Sequence, residues 1–372
     1  MDLDFTEEQD LLRETVRGVC AQYAPVDVVR AMEDDPSGYP PELWAQLAEL
    51  DLIGLTLPEA YGGSGQSLVE AAIVYEELGA ALAPSPHFVS AVMAGGLIAR
   101  AGTEDQRQQL LPAIASGETV VTVAWTEPNH GFGPAGVTAL ADPTDGGWEV
   151  SGTKWHVPFA AAADKLLVLA RHGDAEVGMF LVDRDADGVG LEQQLTVASA
   201  TQYGVTFEKA AAERVGTASW ADWDAVMHDG IVLLAAQAIG GARAALDITV
   251  EYALNREQFG KPLAAFQSIS HYLADADTAI EGGRVLVYEA AWAQSVGRPT
   301  TRLAPMAKSF ACRTFRETTA TCVQVWGGMG FTLEADIQLY FRRAKALQLN
   351  WWDERYLDAL VADDVLGAAA GA

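Results

Sequence analysis

Arg256 closes a helical run and is followed at once by Glu257-Gln258-Phe259-Gly260. A guanidinium there can grip a pyrophosphate with two parallel hydrogen bonds; an ion pair with Glu251 or Glu257 on the helix surface is the alternative. Gly327 and Gly328 sit side by side after Trp326, where adjacent glycines either let the backbone close on a ligand or mark an ordinary helix-to-turn break. Other spacings carry less chemistry. Gly131-Phe132-Gly133-Pro134-Ala135-Gly136 matches GxGxxG in form, but Pro134 interrupts it and Val137-Thr138-Ala139-Leu140 continues without helix signals, so a dinucleotide fold of the strand-glycine-helix type is not expected. His87, His130, His156, His172, His228 and His271 form no HxxxH or HxH pair, and Cys20, Cys312 and Cys322 have no CxxC spacing. Neither a metal site nor a disulfide framework is indicated. His156 reads as a hydrogen-bonded strand histidine more readily than as a ligand contact.

These residues need elements to position them, and the chain supplies helices at both ends and strands between. Thr6 before Glu7, Glu8 and Gln9 reads as a capping box, Pro40-Pro41 opens another helix, and Tyr61-Gly62-Gly63-Ser64-Gly65 breaks the chain. From about Glu118 short β-rich runs appear: 120–125, 148–150, 165–169, 177–182 and 204–207, with turns at Asp145-Gly146-Gly147 and Asp187-Gly188. Beyond Trp223 the period is helical again, and Ile231, Leu234, Ala238, Ala242, Ala245 and Leu246 form a stripe small enough to admit another helix closely. The terminal Gly367 to Ala372 has nothing to anchor it and should fray.

Half of the 372 residues are apolar, enough for a large core. A net charge of −27 would repel a polyanion, so nucleic-acid binding is not expected. The start of the chain is acidic where a targeting peptide would be basic, and no apolar run approaches the roughly 20 residues of a membrane span. A cytoplasmic protein without membrane contact is the expectation.

The order helical, all-β, helical is uncommon, and five motifs punctuate it: Phe5-Thr6-Glu7-Glu8-Gln9; Leu57-Pro58-Glu59-Ala60-Tyr61-Gly62-Gly63-Ser64-Gly65; Thr126-Glu127-Pro128; Tyr252 to Pro262; and Gln324-Val325-Trp326-Gly327-Gly328-Met329-Gly330-Phe331. With them the whole chain resembles an acyl-CoA dehydrogenase. The resemblance implies an α+β fold with an N-terminal helical domain (1–117), a middle β-barrel or sandwich domain (118–222) and a C-terminal helical bundle (223–372). It also implies FAD and an acyl-CoA thioester: a carboxylate removes the α-proton while hydride leaves Cβ for the flavin. The cofactor contacts it assigns are Arg256 on the pyrophosphate, Phe259 beside the cofactor, Gln267 near the adenosine half, and Gln324, Val325, Trp326, Gly327 and Gly328 as a second dinucleotide contact. In the family these elements reach across a dimer interface and hold the neighbour's FAD.

The half of the family site that serves the chain's own flavin departs from pattern. After Thr126-Glu127-Pro128 the small donors of the family are replaced by Asn129-His130-Gly131-Phe132-Gly133, with Phe132 at the serine position. The next contact strand reads Lys154-Trp155-His156-Val157-Pro158-Phe159; histidine replaces the family's tryptophan, and Pro158 brings neither hydroxyl nor N–H. The family's base falls on Trp351, and the alternative base position on Gly230. Asp229, Asp353 and Glu354 lie beside these positions and read as solvated acids, and one residue of offset on a helix turns a side chain about 100° away. The expectation is a non-catalytic subunit of a heteromeric acyl-CoA dehydrogenase, resembling bacterial enzymes that act on steroid side-chain thioesters. Its partner would be a homologous chain with the acyl-CoA in its own site, with room for an electron-acceptor protein. A homo-oligomeric flavoenzyme with a relocated base or altered reaction, and a flavin-free scaffold or CoA-binding protein, are the rivals.

Overall fold

The computed structural model describes residues 4–128, 131–173 and 176–367. Asn129, His130 and the tail residues 368–372 lie outside them. The N-terminal stretch holds α1 (Glu7–Tyr23), α2 (Val26–Ala31), α3 (Pro41–Glu49), α4 (Leu68–Ala80), α5 (Gly96–Ala101), which continues a π-helical run Phe88–Gly95, and α6 (Glu104–Ala115). Strands follow: β1 (Val121–Ala124), β2 (Leu140–Thr144), β3 (Gly147–Pro158), β4 (Lys165–His172), β5 (Glu176–Asp183), β6 (Val189–Gln194) and β7 (Gln202–Ser219). The C-terminal stretch comprises α7 (Trp220–Asn255), a small hairpin of β8 (Glu257–Gln258) and β9 (Lys261–Pro262), α8 (Gln267–Ser295), α9 (Leu303–Trp326), α10 (Ile337–Leu349) and α11 (Glu354–Leu366).

Packing divides the chain into two compact units, one of Met1–Asp27, Ser67–Ala83 and Ile231–Ala372, the other of Val28–Gln66 and Pro84–Gly230. The N-terminal stretch thus contributes to both.

The first unit is all helical. α1 starts at the capping box: Gln9 N–H donates to Thr6 Oγ1 at 3.2 Å and Thr6 N–H to Gln9 Oε1 at 3.1 Å, satisfying two orphan amides. Arg13 bridges Glu76 and Glu77 of α4 at 3.0 Å each, and Tyr288 of α8 donates to Glu76 at 2.6 Å. The small-residue face of α7 admits α4. A Cβ added at Gly240 would stand 1.8 Å from the Glu76 carbonyl oxygen, and one at Gly79 2.1 Å from that of Gln237, so backbone meets backbone where only glycine fits.

The second unit is built on a closed sheet. β4 pairs with β2 and β5, β2 with β3, β3 with β7 and β7 with β5, while β1 extends along β4 and β6 flanks β7. Closure removes the exposed edges and encloses Val150, Leu166, Val168, Phe180, Val205 and Phe207. β2 and β3 turn at Asp145-Gly146, Thr144 facing Gly147.

One expectation from sequence needs correcting. A window of α7 reaches the length and mean hydropathy (1.5) of a membrane span, and 72% of it is buried within the fold, as in the core helix of a folded protein.

Candidate functional site

In the helical unit, the last turns of α7 and α9 are fastened together. Tyr252 stacks on Trp326 with centroids 4.2 Å apart and planes 10° from parallel. The Trp326 indole N–H donates to Thr249 Oγ1 at 3.1 Å, and that hydroxyl donates to the Ala245 carbonyl at 2.8 Å. Arg256 follows one helical turn after Tyr252, its amide bonded to the Tyr252 carbonyl, and Gly327 follows directly on Trp326. The two motifs are brought to the same end of the bundle by one aromatic stack.

Arg256 is exposed and forms no ion pair among the described residues, with Glu251 and Glu257 included. Its carbonyl accepts from Leu263 N–H at 2.8 Å, which closes the β8–β9 hairpin. The two-residue turn is Phe259-Gly260, both with positive φ (55° and 79°), the primed geometry that hairpin twist demands. A bulky residue seldom sits there, yet Phe259 does, 93% exposed. Gln267 opens α8 and is exposed.

The second motif divides by direction. Gln324, Gly327 and Gly328 are exposed, whereas Val325 is buried and Trp326 is engaged in the stack on Tyr252. Val325 and Trp326 therefore anchor the segment through their side chains. Gly327 adopts φ 62°, ψ −138°, a conformation essentially reserved for glycine. A Cβ on Gly327 or Gly328 would meet nothing within 4 Å, so this backbone is open on its outer side.

The two positions that the resemblance assigns to a base, Trp351 and Gly230, hold no carboxylate. Trp351 and Trp352 follow α10 with consecutive positive φ values of 56° and 68°, a strained loop of about 1–3 kcal/mol per residue. Lys308 secures it. This lysine is fully buried, and its ammonium donates to the carbonyls of Leu347 (3.2 Å), Asn350 (2.9 Å) and Trp352 (2.8 Å), capping the α10 terminus with a cation. Burial lowers its pKa. The neighbouring acids are committed elsewhere. Asp353 caps α11, accepting from Tyr356 N–H at 2.9 Å. Glu354 accepts from Arg313 Nε at 2.7 Å and Gln348 at 2.8 Å; burial works to raise its carboxyl, and these donors outweigh it and hold it below the ordinary value.

In the β unit, Gly230 is walled in. A Cβ there would stand 3.0 Å from Met93 Sδ and 3.2 Å from Phe88 Cζ. Asp229, its half-buried neighbour, lies in the field of His228, which bonds the Asp224 carbonyl at 2.8 Å.

The segments around Thr126–Pro128 and Lys154–Phe159 are held by a pair that sequence reasoning missed. Glu127 and Lys154 are both buried and meet at 2.6 Å. Glu127 also accepts from the amides of Thr138 and Ala139 at 2.9 Å each and from the Thr138 hydroxyl. Burial works to raise the Glu127 carboxyl, but the Lys154 charge and these donors leave it below the ordinary value; burial pushes Lys154 down to about 8. Both residues stand in quoted motifs, and only their fourfold-bonded meeting was invisible. Phe132 stacks on Trp125 (5.7 Å, 29°), and Trp125 leans on buried Trp223 at 5.5 Å. His156 sits in a bulge of β3 with φ 56°, its amide donating to Gln194 Oε1 at 3.0 Å. The Pro158 carbonyl accepts from Thr122. Pro134–Gly136 is a single short turn, its Pro134 carbonyl held by Arg171 at 2.8 Å; no phosphate-binding helix follows the glycines.

Three family models match this chain: "Acyl-CoA dehydrogenase, N-terminal domain" over residues 6–118, "middle domain" over 122–210 and "C-terminal domain" over 223–350. Among curated relatives, benzylmalonyl-CoA dehydrogenase of Aromatoleum aromaticum is 29% identical, covering 98% of this chain and all of that protein; an acyl-CoA dehydrogenase of Bacillus subtilis is 30% identical, covering 93% and 95%. Among solved structures, a variant of the Tcur3481-Tcur3483 steroid ACAD has a TM-score of 0.88 at 33% identity, covering 98% of this chain and 99% of that one. The ChsE4-ChsE5 complex from Mycobacterium tuberculosis has 0.90 at 26%, covering the whole of both chains.

Proposed function

The chain belongs to the acyl-CoA dehydrogenase family, and on that premise we propose that it is the non-catalytic subunit of a heteromeric FAD-dependent dehydrogenase acting on a CoA thioester. The observation that carries this reading is the state of the two base positions. One is a tryptophan in a left-handed loop pinned by buried Lys308; the other is a glycine whose side-chain space is filled by Phe88 and Met93.

The family's members are FAD-binding flavoproteins, and one half of this chain suits that cofactor. Arg256 has no internal ion pair among the described residues, and the Gly327-Gly328 backbone is bare on its outer side. The ring side does not suit it: Phe132 is stacked on Trp125 where small donors would be needed, and Pro158 has no N–H to give. FAD, when bound, supplies the hydride acceptor for α,β-dehydrogenation. This chain's share is to bind and orient. Arg256 provides fixed positive charge for the pyrophosphate, Gly327 and Gly328 a close backbone, Gln267 and Gln324 amide groups toward the adenosine half, and Phe259 an apolar cover. Proton abstraction belongs to a carboxylate of the homologous partner.

The pairing of two different chains in the ChsE4-ChsE5 and Tcur3481-Tcur3483 neighbours supports a heteromer, and the latter's steroid designation supports bulky steroid side-chain thioesters as the substrate class. Residues 1–117, 118–222 and 223–372 are the three domains of this reading, with the cytoplasm as its location. The test is co-expression with each homologous dehydrogenase chain of the same genome, followed by acyl-CoA-dependent bleaching of bound flavin. Activity only in a two-chain complex is expected; activity of this chain alone would overturn the proposal.

A further inference from the structure

Arg256 and Gly327 stand at the exits of α7 and α9, where a helix ordinarily frays. A group that grips a pyrophosphate and a backbone that lies along a dinucleotide must instead be fixed relative to each other. What fixes them lies within the last turns of the two helices. Tyr252 of α7 and Trp326 of α9 stack at 4.2 Å, and the Tyr252 carbonyl accepts from the Arg256 amide at 2.8 Å. Thr249, fully buried one turn earlier in α7, ties the indole down: its hydroxyl accepts from Trp326 Nε1–H at 3.1 Å and donates to the Ala245 carbonyl at 2.8 Å. The chain after Trp326 folds back on it. Gly327 N–H donates to the Gln324 carbonyl and Gly330 N–H to the Gly327 carbonyl at 3.0 Å, while a Cβ on buried Gly330 would stand 2.5 Å from the Val323 carbonyl oxygen and 3.0 Å from Trp326 Cβ. The indole spends its single donor inward and has none left for a cofactor.

We propose that Thr249, Tyr252 and Trp326 are positioning residues, which set the separation of Arg256 from the Gly327-Gly328 backbone so that one FAD meets both. The inference rests on the flavin-holding reading and deepens it, moving Trp326 from a contact with the cofactor to a support behind the contacts. A stack alone fixes the spacing of two rings and lets them slide past each other. The indole hydrogen bond removes that freedom, because the hydroxyl it reaches is itself held by Ala245 and accepts from one direction. Helix ends joined in this way move together, and a loosening of either displaces both cofactor contacts. Tyr252 contributes its ring alone, since its hydroxyl makes no hydrogen bond among the described residues. Thr249 contributes its hydroxyl, and it lies outside the five motifs that mark the family.

The test titrates FAD into the flavin-stripped assembly of the full chain with its partner and reads the dissociation constant beside the melting temperature. Thr249→Val keeps the side-chain shape and removes the acceptor; Tyr252→Leu removes the stacked ring. Each should weaken FAD about fivefold, in line with the loss of one hydrogen bond or one aromatic pair. Thr249→Ser and Tyr252→Phe, which return the hydroxyl and the ring, should restore the affinity. Arg256→Ala should weaken FAD about tenfold or more by itself and only about threefold in the Thr249→Val background, because a guanidinium already out of place has less contact to lose. A merely structural role would lower the melting temperature and leave the Arg256→Ala penalty equal in both backgrounds. If no assembly containing this chain binds FAD, or Arg256→Ala leaves its affinity unchanged, the flavin-holding reading falls and this one with it. If Arg256→Ala weakens FAD while Thr249→Val and Tyr252→Leu bind within about twofold of wild type, or the two penalties are equal, the positioning role alone is refuted.

Discussion

Replacing Gly230 with glutamate would put a carboxylate where the resemblance places an alternative base, and the structure says what it would cost. The added Cβ alone meets Met93 Sδ at 3.0 Å and the Phe88 ring at 3.2–3.3 Å, and Met93 is fully buried, so the surrounding core must shift to admit it. Overpacking of this kind costs about 1–3 kcal/mol, offset by about 1 kcal/mol for removing a glycine from a helix. The carboxyl must then ionise without a partner or stay protonated; holding it neutral at pH 7 through a rise of roughly three pKa units costs about 4 kcal/mol. The net is about 4–6 kcal/mol, a large part of a typical domain's stability. Urea unfolding of Gly230→Glu beside Gly230→Ala separates the contributions: the alanine variant should lose no more than about 2 kcal/mol, leaving the rest to the charge. A Gly230→Glu protein within about 1 kcal/mol of wild type that also bleached FAD on adding acyl-CoA would mean that Phe88 and Met93 do not close this site.

Arg256→Ala should lower the flavin content of the two-chain complex at limiting FAD, since a lost charge-assisted contact costs about 1.5–3 kcal/mol, or tenfold or more in affinity, while melting stays unchanged; unaltered flavin content would make Arg256 a surface residue. Trp351→Glu, assayed with a partner whose own base has been removed, should give no acyl-CoA-dependent bleaching, because hydride acceptor and base must be present together and Phe132 and Pro158 have removed the ring-side donors; substantial bleaching would favour the homo-oligomeric flavoenzyme. Lys308→Met should destabilise the protein by about 2–4 kcal/mol, the three stranded carbonyls outweighing the relief of a buried charge; a loss below about 1 kcal/mol would deny the lysine its hold on the loop. The depressed Glu127 carboxyl contributes stability that is present above its unfolded value near 4.3 and lost as pH falls through its lower folded value. Acid titration of Lys154→Met should therefore show a shallower loss than wild type, and identical slopes would contradict the pairing.

What could be read beforehand was local. The Thr6–Gln9 capping box lies within four residues, the Tyr61–Gly65 break carries its own glycines, and the small face of α7 announces a close crossing whatever helix supplies it. What escaped was set by distant partners. A lysine within α9 looks like a solvated charge until α10 ends above it and three carbonyls converge on Lys308. Phe88 and Gly230 lie far apart in the sequence, and nothing around either says that one closes on the other's space. β7 was seen only as 204–207 because its Ala210-Ala211-Ala212 run has little strand propensity of its own; pairing with β3 and β5 holds it extended. The departures from family pattern at Trp351, Phe132 and Pro158 were visible as substitutions. Their consequences, a left-handed tryptophan pair and an aromatic stack, needed the packing.

The central claim is that this chain lends its flavin-holding residues to a different chain and has no working site of its own. Native mass spectrometry of the co-expressed pair tests it most directly, counting chains and FAD in one spectrum. The account predicts equal numbers of the two chains and one FAD per pair, with neither flavin nor activity in this chain when purified alone. A homotetramer of this chain carrying one FAD per protomer and oxidising an acyl-CoA unaided would contradict it.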